Sequence, residues 1–349
     1  MSVIELDKKK VGENHPTYII AEIGINHQGD LDTAKELIQK ASEAGANAVK
    51  FQKRSIQRIL TQEGLNAPYE NPNSFGKTYG EHKKALELSK SDYAELFACA
   101  NTHNVSFIAS GWDEESVDFL DHLGVSFFKM ASADLTNFPL LEHTAKKNKP
   151  IILSTGMSAI DTVKKAYDLI NNYNNQIAIL QCTSTYPTSF EEIHLNVIRS
   201  YKRLFPGVVI GYSGHELGIA VPSAAVAIGA KIIERHFTLD RTMKGGDHAA
   251  SLEPLGFKKM VRDIRNIEKA LGSSEKTVQK SEIKVFKKLG KSLVTLKDID
   301  INTIITREMI TTKGPGTGIS PMELGSILGK KTKVHLQKDV IIKETDIEW

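Results

Sequence analysis

The sequence of 349 residues has little cysteine: Cys99 and Cys182 are the only two, and they lie far apart without C-x-x-C spacing. This scarcity excludes a framework of disulfide bonds and argues against a zinc site built from cysteine thiolates. Two unpaired thiols are compatible with a reducing compartment, and we therefore expect a cytoplasmic protein.

Long hydrophobic runs and an excess of charge are also missing. No run reaches the roughly 18 apolar residues of a membrane span, and the first residues, "MSVIELDKKK", contain no apolar segment typical of a signal peptide. The 45 basic and 42 acidic side chains give a net charge of only +3, and no dense block of Lys and Arg occurs. We therefore expect neither a membrane segment nor a nucleic-acid-binding arm.

The chain does contain a regular alternation of short apolar runs and amphipathic stretches. Runs without polar interruption indicate strands covered on both faces, and their alternation with helical patterns indicates a parallel sheet. A doubly wound open sheet is one architecture with this pattern. Eight units within about 270 residues match the size of a (β/α)8 TIM barrel, which we predict for residues 1–272. The runs begin at Tyr18, Ala48, Ser106, Phe127, Ile151, Ile177, Val208 and Lys231.

The pattern changes after a predicted helix that ends at Leu271 with Gly272 at its C-cap. Residues 273–285 are polar and rich in lysine, which predicts a linker. Residues 286–349 contain short β-branched runs separated by Gly and Pro turns, which predicts a small, mostly β domain. A domain of this size has little independent stability, so we expect it to pack against another part of the protein.

Polar side chains stand near the end of every predicted strand. Because a TIM barrel gathers its active site at the carboxyl ends of its strands, this pattern predicts one polar cavity. The residues are Glu22, Lys50, Gln52, Ser110, Lys129, Ser132, Ser154, Thr155, Gln181, Ser184, Tyr186, Ser213, His215, Glu234 and His236.

His215 and His236 stand out because they are separated by one strand-helix unit. This spacing places them at equivalent ends of neighbouring strands, whose axes lie about 4.8 Å apart. Two imidazoles so placed can share a metal ion, and an incomplete protein shell would leave positions for water and substrate oxygens. With Glu234 and Asp247 nearby, a catalytic metal is our preferred interpretation. The alternative is two histidines that form separate hydrogen bonds.

Lys50 and Lys129 interrupt strands that are otherwise apolar. A lysine buried in this way is costly unless it meets an anion. One interpretation is an internal salt bridge, for which Glu22 is a candidate partner. The other is a pocket for a phosphate or carboxylate, which the neighbouring serine hydroxyls favour. We expect a small anionic ligand.

Several motifs in one order resemble the sialic acid synthase family, which includes N-acetylneuraminate synthases, N-acylneuraminate-9-phosphate synthases and their pseudaminic and legionaminic relatives. The resemblance extends from about Tyr18 to the C-terminus, and the tail is similar to the antifreeze-like (SAF, β-clip) domain of these enzymes. The motifs are "IIAEIGINHQGD", "AVKFQK", "FFKMASADLTNFPLL", "ILSTGM", "LQCTSTYP", "IGYSGHE", "ERHFTLD" and "GGDHAASLEP".

The resemblance implies condensation of phosphoenolpyruvate with the open-chain aldehyde of an N-acylated amino sugar, with C–O cleavage and release of phosphate. It implies a catalytic carboxylate at Glu22 and a divalent cation, Mn²⁺ or Mg²⁺, held by His215 and His236. Positions similar to those around the sugar are Gln52, Tyr186 and Asp247. Positions similar to those that hold phosphoenolpyruvate are Lys50, Lys129, Ser110, Ser132, Ser154, Ser184 and Ser213.

Two local features concern the sugar. Bacterial enzymes of this family that act on the free sugar carry an arginine in a "KRPG"-like turn, but this chain reads "KGPG" with Gly314 there. The insertion "PYENPNSFGKTYGEHKKALELS" resembles the animal-type enzymes that use N-acetylmannosamine 6-phosphate. Lys77, His82 and Lys83 are therefore candidate contacts for a second phosphate, the alternative being a solvated helix start. Asp134 stands where relatives carry Glu.

The family further implies a domain-swapped homodimer in which each SAF domain covers the barrel of its partner. A pseudaminic or legionaminic acid synthase acting on a 2,4-diacetamido sugar is an alternative function. Two others are a sugar-binding barrel without catalysis and a metal-dependent aldolase that uses Lys129 as a Schiff base.

Overall fold

The computed structural model describes residues 2–349 and divides into two compact units, one ending at Gly272 and one spanning Ser273–Trp349. The strands of the described chain are β1 (Val3–Leu6), β2 (Lys9–Gly12), β3 (Tyr18–Gly24), β4 (Ala48–Lys53), β5 (Ser106–Gly111), β6 (Phe128–Met130), β7 (Ile151–Ser154), β8 (Ile177–Cys182), β9 (Val209–Gly214), β10 (Ile232–His236), β11 (Ser292–Thr295) and β12 (Ile310–Lys313). The α-helices are α1 (Leu31–Glu43), α2 (Ile56–Ile59), α3 (Gln62–Asn66), α4 (Tyr79–Ala85), α5 (Lys90–Thr102), α6 (Glu114–Leu123), α7 (Phe138–Ala145), α8 (Ile160–Asn171), α9 (Asn196–Leu204), α10 (Ala220–Ala227), α11 (Pro254–Leu271), α12 (Glu282–Leu289) and α13 (Leu324–Ile327).

Strands β3 to β10 form a closed parallel barrel, in which β10 pairs with β3 to complete the ring. The predicted (β/α)8 architecture is confirmed, and each of the eight predicted apolar runs contributes one barrel strand. All seven residues of β3 are buried, as expected for a strand with a packed interior on one face and helices on the other.

The helices around the barrel follow from capping and periodicity. Asp30 begins α1 by accepting a hydrogen bond of 2.7 Å from the backbone N–H of Thr33. The buried residues of α1 recur every three to four positions, so one stripe of the helix packs on the strands. They are Ala34, Leu37, Ile38 and Ala41.

An antiparallel hairpin, β1 with β2, precedes the barrel and was not predicted from the sequence. Its strands have only four residues each, and they bury Ile4, Leu6 and Val11 against the barrel interior. Their partners lie at the amino-terminal ends of the strands, as for Tyr18 and Ile232. The hairpin therefore closes this end of the barrel with apolar side chains.

The C-terminal unit contains the antiparallel pair β11 and β12, which confirms the predicted small β domain. Its core is made largely of isoleucine, consisting of Leu293, Ile299, Ile305, Ile310, Ile319, Ile327, Leu336, Ile342 and Ile347. Across residues 2–349, none of the helices has the length and apolar character needed to cross a membrane.

Candidate active site

The carboxyl ends of the barrel strands surround one cavity of about 280 Å³. Every predicted catalytic, phosphoenolpyruvate-binding, sugar-binding and metal-binding position lines it, and so does one of the three predicted phosphosugar contacts, Lys83. The lining thus includes Glu22, Lys50, Gln52, Ser110, Lys129, Ser132, Ser154, Ser184, Tyr186, Ser213, His215, His236 and Asp247.

The floor of the cavity contains two buried lysines and two buried carboxylates. Lys50 Nζ lies 2.7 Å from a carboxylate oxygen of Glu22 and 3.7 Å from Glu234 Oε1. Lys129 Nζ lies 3.7 Å from the same Glu234 oxygen. These groups meet because strand pairing places Glu22 opposite Lys50, and because alternate residues of a barrel strand point inward. The internal salt bridge considered for the lysines is therefore present, within the polar cavity.

The charges of this cluster shift one another. Burial lowers the pKa of Lys50, but the carboxylates of Glu22 and Glu234 outweigh it, so the net shift is upward. Burial would raise the pKa of Glu234, but Lys129 and Lys50 turn the shift downward. Burial lowers the pKa of Lys129, which Glu234 only partly offsets. The carboxylates thus oppose the effect of burial on both lysines, completely for Lys50 and partly for Lys129.

Serine hydroxyls and one backbone N–H lie beside this cluster of two lysines and two carboxylates. Lys129 Nζ donates to Ser154 Oγ at 2.7 Å, and the N–H of Gly156 donates to Ser132 Oγ at 3.0 Å. Ser184 Oγ is buried and has no hydrogen-bond partner in the described part of the chain. A Cβ at position 156 would lie 2.1 Å from Ser184 Oγ and 2.9 Å from Ser132 Oγ, so only glycine allows this close approach. The arrangement offers several donors to a phosphate or carboxylate.

His215 and His236 face each other at the edge of the cavity, with ring centroids 5.2 Å apart. His215 Nδ1 donates to the carbonyl oxygen of Thr183 at 2.7 Å, which leaves Nε2 free as a ligand. His236 Nδ1 is buried, 3.5 Å from Asp247 Oδ2, and has no hydrogen-bond partner among residues 2–349. Burial, followed by the neighbouring His236 ring, lowers the pKa of His215 to about 3, so its imidazole is neutral.

Residues 2–349 contain no cluster of three or more His, Cys, Asp or Glu side chains arranged to hold a metal ion. Two imidazole nitrogen donors are nevertheless suitable for a divalent cation whose remaining ligands come from water or substrate. The Nδ1 atom of His236 fits such a role. Buried polar atoms normally have a partner, and a bound cation would supply the one that this atom lacks among the described residues.

Strand β10 ends in three ionisable residues, Glu234, Arg235 and His236, and only Arg235 does not line the cavity. Its side chain is fully buried on the opposite face of the strand from Glu234 and His236, where Nη1 lies 2.6 Å from Glu216 Oε1. The second oxygen of Glu216 accepts a hydrogen bond of 2.6 Å from Tyr212 Oη. This network fixes the backbone next to His215, while the other two ionisable residues of the strand point into the cavity.

The wall predicted to contact the sugar contains Gln52, Tyr186 and Asp247. Gln52 Nε2 donates to Glu22 Oε1 at 3.1 Å. The ring of Tyr186 lies 4.1 Å from that of His215, centroid to centroid. The residues predicted to contact the sugar and those predicted to hold the metal are therefore adjacent.

Six residues singled out in the sequence do not line this cavity. The prediction is wrong for Thr155 and Gln181, which alternate with the lining residues Ser154 and Cys182 and therefore point away from it. They donate hydrogen bonds to the carbonyl oxygens of Leu180 and Ile193 instead.

Lys77 is exposed in the loop before α4, and His82 is buried against the rings of Tyr69, Phe75 and Tyr79. Neither is among the described residues that line the cavity.

Asp134 is buried in a neighbouring cavity with Asn137, and burial raises its pKa to about 6. Gly314 lies in the C-terminal unit, beside the backbone of Gly290.

The sequence placed Glu234 in the polar cavity near the two histidines but did not predict its pairing with the lysines, and it gave no role to Gly156 and Arg54, which the geometry places in or beside the site. Glu234 pairs with both lysines, and its position two residues before His236 on a strand was the available signal. Gly156 carried no signal, since its importance depends on two serines from other strands. Arg54 is buried behind Gln52, to which it donates a hydrogen bond.

Comparisons with known proteins agree with this architecture. The NeuB family model matches residues 37–276, and the SAF domain model matches residues 290–348. The chain is 48% identical over 335 residues to N-acetylneuraminate-9-phosphate synthase of Homo sapiens, covering 96% of this chain and 93% of the relative. It is 39% identical to N,N'-diacetyllegionaminic acid synthase of Legionella pneumophila, covering 97% of each chain. The crystal structure of an N-acetylneuraminic acid synthetase from Leptospira borgpetersenii in complex with citrate has a TM-score of 0.72 and 34% identity, covering 81% of this chain and 95% of the other.

Proposed function

This chain belongs to the NeuB family, is a sialic acid synthase-like enzyme and ends in a SAF domain, and from this premise we propose that it condenses phosphoenolpyruvate with N-acetylmannosamine 6-phosphate. The products would be N-acetylneuraminate 9-phosphate and inorganic phosphate, a carbon–carbon bond-forming transfer of the EC 2.5.1 class. The observation that carries the proposal is the lysine and serine floor beside the carboxylate of Glu22. The relative at 48% identity, whose name specifies a 9-phosphate product, supports the phosphorylated sugar.

Ser132 and Ser184, which lie against Gly156, form a small nest of hydroxyl groups. In this reaction Lys50, Lys129 and this nest bind the phosphate and carboxylate of phosphoenolpyruvate. Binding orients carbon 3 toward the aldehyde carbon of the sugar, which Gln52 and Asp247 help to position. Carbon 3 forms the new bond, and the aldehyde oxygen takes up a proton.

Positive charge then develops at carbon 2, where Glu22 contributes a buried carboxylate. Glu22 also accepts a proton from the water that adds to carbon 2. The C–O bond to phosphate then breaks, and phosphate leaves with the bridging oxygen. The keto group of the product forms from the hydroxyl that the water supplied, and the proton of that hydroxyl passes to the departing phosphate.

His215 and His236 would hold the divalent cation, Mn²⁺ or Mg²⁺. When bound there, such an ion supplies Lewis acidity for the aldehyde oxygen. The neutral state of His215 and the unpartnered Nδ1 of His236 support this assignment.

The proposal includes a cytoplasmic homodimer in which the SAF domains are exchanged. Helix α12 of the C-terminal unit supports association, because its apolar side chains Ile283, Val285, Phe286 and Leu289 are exposed in the single chain. Light scattering after gel filtration would give twice the chain mass, and a monomer at micromolar concentration would contradict the dimer.

Release of phosphate from phosphoenolpyruvate tests the reaction. We expect release that depends on a sugar, tested with N-acetylmannosamine, its 6-phosphate and 2,4-diacetamido sugars, each with and without Mn²⁺. Phosphoenolpyruvate labelled with ¹⁸O at the bridging position should give labelled phosphate, because the C–O bond breaks.

Several outcomes would overturn the proposal. Label retained in the sugar product excludes C–O cleavage, and release without any sugar excludes the condensation. A covalent adduct trapped by borohydride with pyruvate at Lys129 would favour the aldolase alternative. Faster turnover of a 2,4-diacetamido sugar would assign the chain to the legionaminic or pseudaminic branch instead.

A further inference from the structure

Arg54 is a buried cation without an anionic partner. Its side chain is 2% exposed, and its Nε and Nη1 atoms make no hydrogen bond within the described chain. Nη2 donates to the amide oxygen of Gln52, and the guanidinium lies 5.4 Å from the ring centroid of Trp112. Burying a charge with unpaired donors is unfavourable, so this arrangement indicates a ligand that supplies the missing acceptors.

The nearby carboxylate of Glu87 does not fill this role. Its Oε1 accepts hydrogen bonds from Lys53 Nζ and from the backbone N–H of Arg54, the latter at 3.2 Å. Its Oε2 is buried without a hydrogen-bond partner. The guanidinium of Arg54 therefore remains unneutralised by a direct contact.

Lys83 of α4 provides a second cation on the cavity wall. Its Nζ lies 5.0 Å from the ring centroid of Tyr79, an aromatic contact that leaves its N–H donors available. Burial, followed by the charge of Arg54, lowers the pKa of Lys83 to about 8, although Asp247 and Glu87 act in the opposite direction. The two cations thus repel each other, and an anion between them would relieve that repulsion.

Gln52 connects these cations to the reacting groups. Its Nε2 donates to Glu22 at 3.1 Å, and its amide oxygen accepts from Arg54. Gln52, Lys83 and Trp112 line the same cavity as the lysine floor. Arg54 does not itself line this cavity, but it lies directly behind the wall, in contact with Gln52 and Trp112. A sugar held at Gln52, with its aldehyde near Glu22, would therefore extend its other end along the wall that Lys83 lines and that Arg54 supports from behind.

We propose that Arg54 and Lys83 bind the phosphate group of a phosphorylated sugar and that Arg54 determines the preference for it over the unphosphorylated sugar. This inference rests on the proposed condensation. Phosphate offers three terminal oxygens to the free N–H groups of both side chains. An unphosphorylated sugar would leave those buried donors unpaired, which is a strong basis for discrimination.

A purely structural role for Arg54 predicts a different result. The guanidinium would then only support Gln52 and Trp112, and its loss would impair reaction with every sugar equally. The informative quantity is therefore the ratio of kcat/KM for N-acetylmannosamine 6-phosphate to that for N-acetylmannosamine.

The experiment compares Arg54→Met, Arg54→Lys and Lys83→Met with the parent. Lys84→Met is the matched control, because Lys84 is the exposed neighbour of Lys83 in the same helix and does not line the active-site cavity. Lys84 borders, together with Arg54, a separate neighbouring cavity, so a fall of the ratio in Lys84→Met would place the phosphate there and overturn the proposal. We expect the ratio to fall at least tenfold in Arg54→Met and Lys83→Met, to recover partly in Arg54→Lys and to stay at the parent value in Lys84→Met. The KM for phosphoenolpyruvate should not follow this pattern. An unchanged ratio in both Met variants at positions 54 and 83 would overturn the proposal.

Calorimetric titration separates this proposal from the proposed reaction. If the parent releases no phosphate with any sugar, the reaction is wrong, and binding of N-acetylmannosamine 6-phosphate then tests the site alone. Tighter binding of the phosphorylated than of the free sugar, lost in Arg54→Met and Lys83→Met but kept in Lys84→Met, supports the site. Equal binding of both sugars by the parent excludes it.

Discussion

The two ends of the barrel interior are built from the same eight strands but contain opposite chemistry. In β3, Ile20 packs in an apolar layer, and Glu22, two residues later, belongs to the ion cluster. In β10, Ile232 and Glu234 repeat this relation. Because side chains alternate along a strand, one inward-facing row supplies both layers.

The fold therefore separates the residues that stabilise it from those that line the cavity, layer by layer along each strand. The apolar layer is closed by the hairpin β1–β2 and gains stability from burial alone. The charged layer buries Lys50, Lys129 and two carboxylates, whose desolvation is only offset by their mutual pairing. We therefore expect substitutions at the apolar end to change folding, and substitutions at the charged end to change turnover or binding.

The largest expected effect concerns Glu22→Gln. The substitution keeps the shape of the side chain but removes the charge that faces carbon 2, so kcat should fall about 1000-fold. Binding of phosphoenolpyruvate should persist, since Lys50 and Lys129 remain. Steady-state phosphate release and calorimetry measure the two quantities. Glu5→Gln, on the exposed face of the hairpin, is the control. Near-parental turnover in Glu22→Gln would remove Glu22 from the mechanism.

The next effect concerns Ile20→Ala, two residues before Glu22 in the same strand and in the apolar layer. Ile20 is fully buried in the apolar layer, and its truncation should lower the free energy of unfolding by about 2–5 kcal/mol. The kcat of the folded fraction should stay near the parental value. Denaturant unfolding measures the first quantity, and Ile20→Val, at about 1 kcal/mol, provides the graded control. A large loss of kcat without a loss of stability would show that the two layers are not separate.

The fold and much of the cavity could be predicted because both follow from periodicity. Continuous apolar runs located the eight barrel strands, and polar residues at their ends located Glu22 and Lys50. The hairpin was missed because strands of four residues give too short a pattern. Arg54 was missed because nothing in "FQKRS" shows which of two consecutive cations loses its carboxylate partner.

Gly156→Ala should have a smaller effect, confined to the charged end. The new Cβ would displace the hydroxyls of Ser132 and Ser184 from the predicted anion site, and we expect the KM for phosphoenolpyruvate to rise about tenfold. Gly256→Ala is the control, because a Cβ there meets only Leu252, at 3.8 Å. An unchanged KM would indicate that this nest does not contact phosphoenolpyruvate. A lower midpoint of unfolding without a change in KM would place Gly156 with the structural layer.

The smallest expected effect is a pH dependence that belongs to the charged end and follows from Lys83. In the unliganded protein its pKa lies at about 8, below the ordinary value for lysine, so the ammonium form is lost as the pH rises through 8. A sugar phosphate binds the protonated form, and above this pH binding requires proton uptake. The KM for the phosphorylated sugar should therefore rise about fourfold between pH 7 and pH 8.5. Arg54, Asp247 and Glu87 set this pKa, and Arg54→Met should move the rise to higher pH because a repelling charge is removed. The rise should be absent in Lys83→Met, which has no ammonium to lose, and retained in Lys84→Met. A rise that persists in Lys83→Met must come from another group, and Lys83 would then not be a contact of the phosphate.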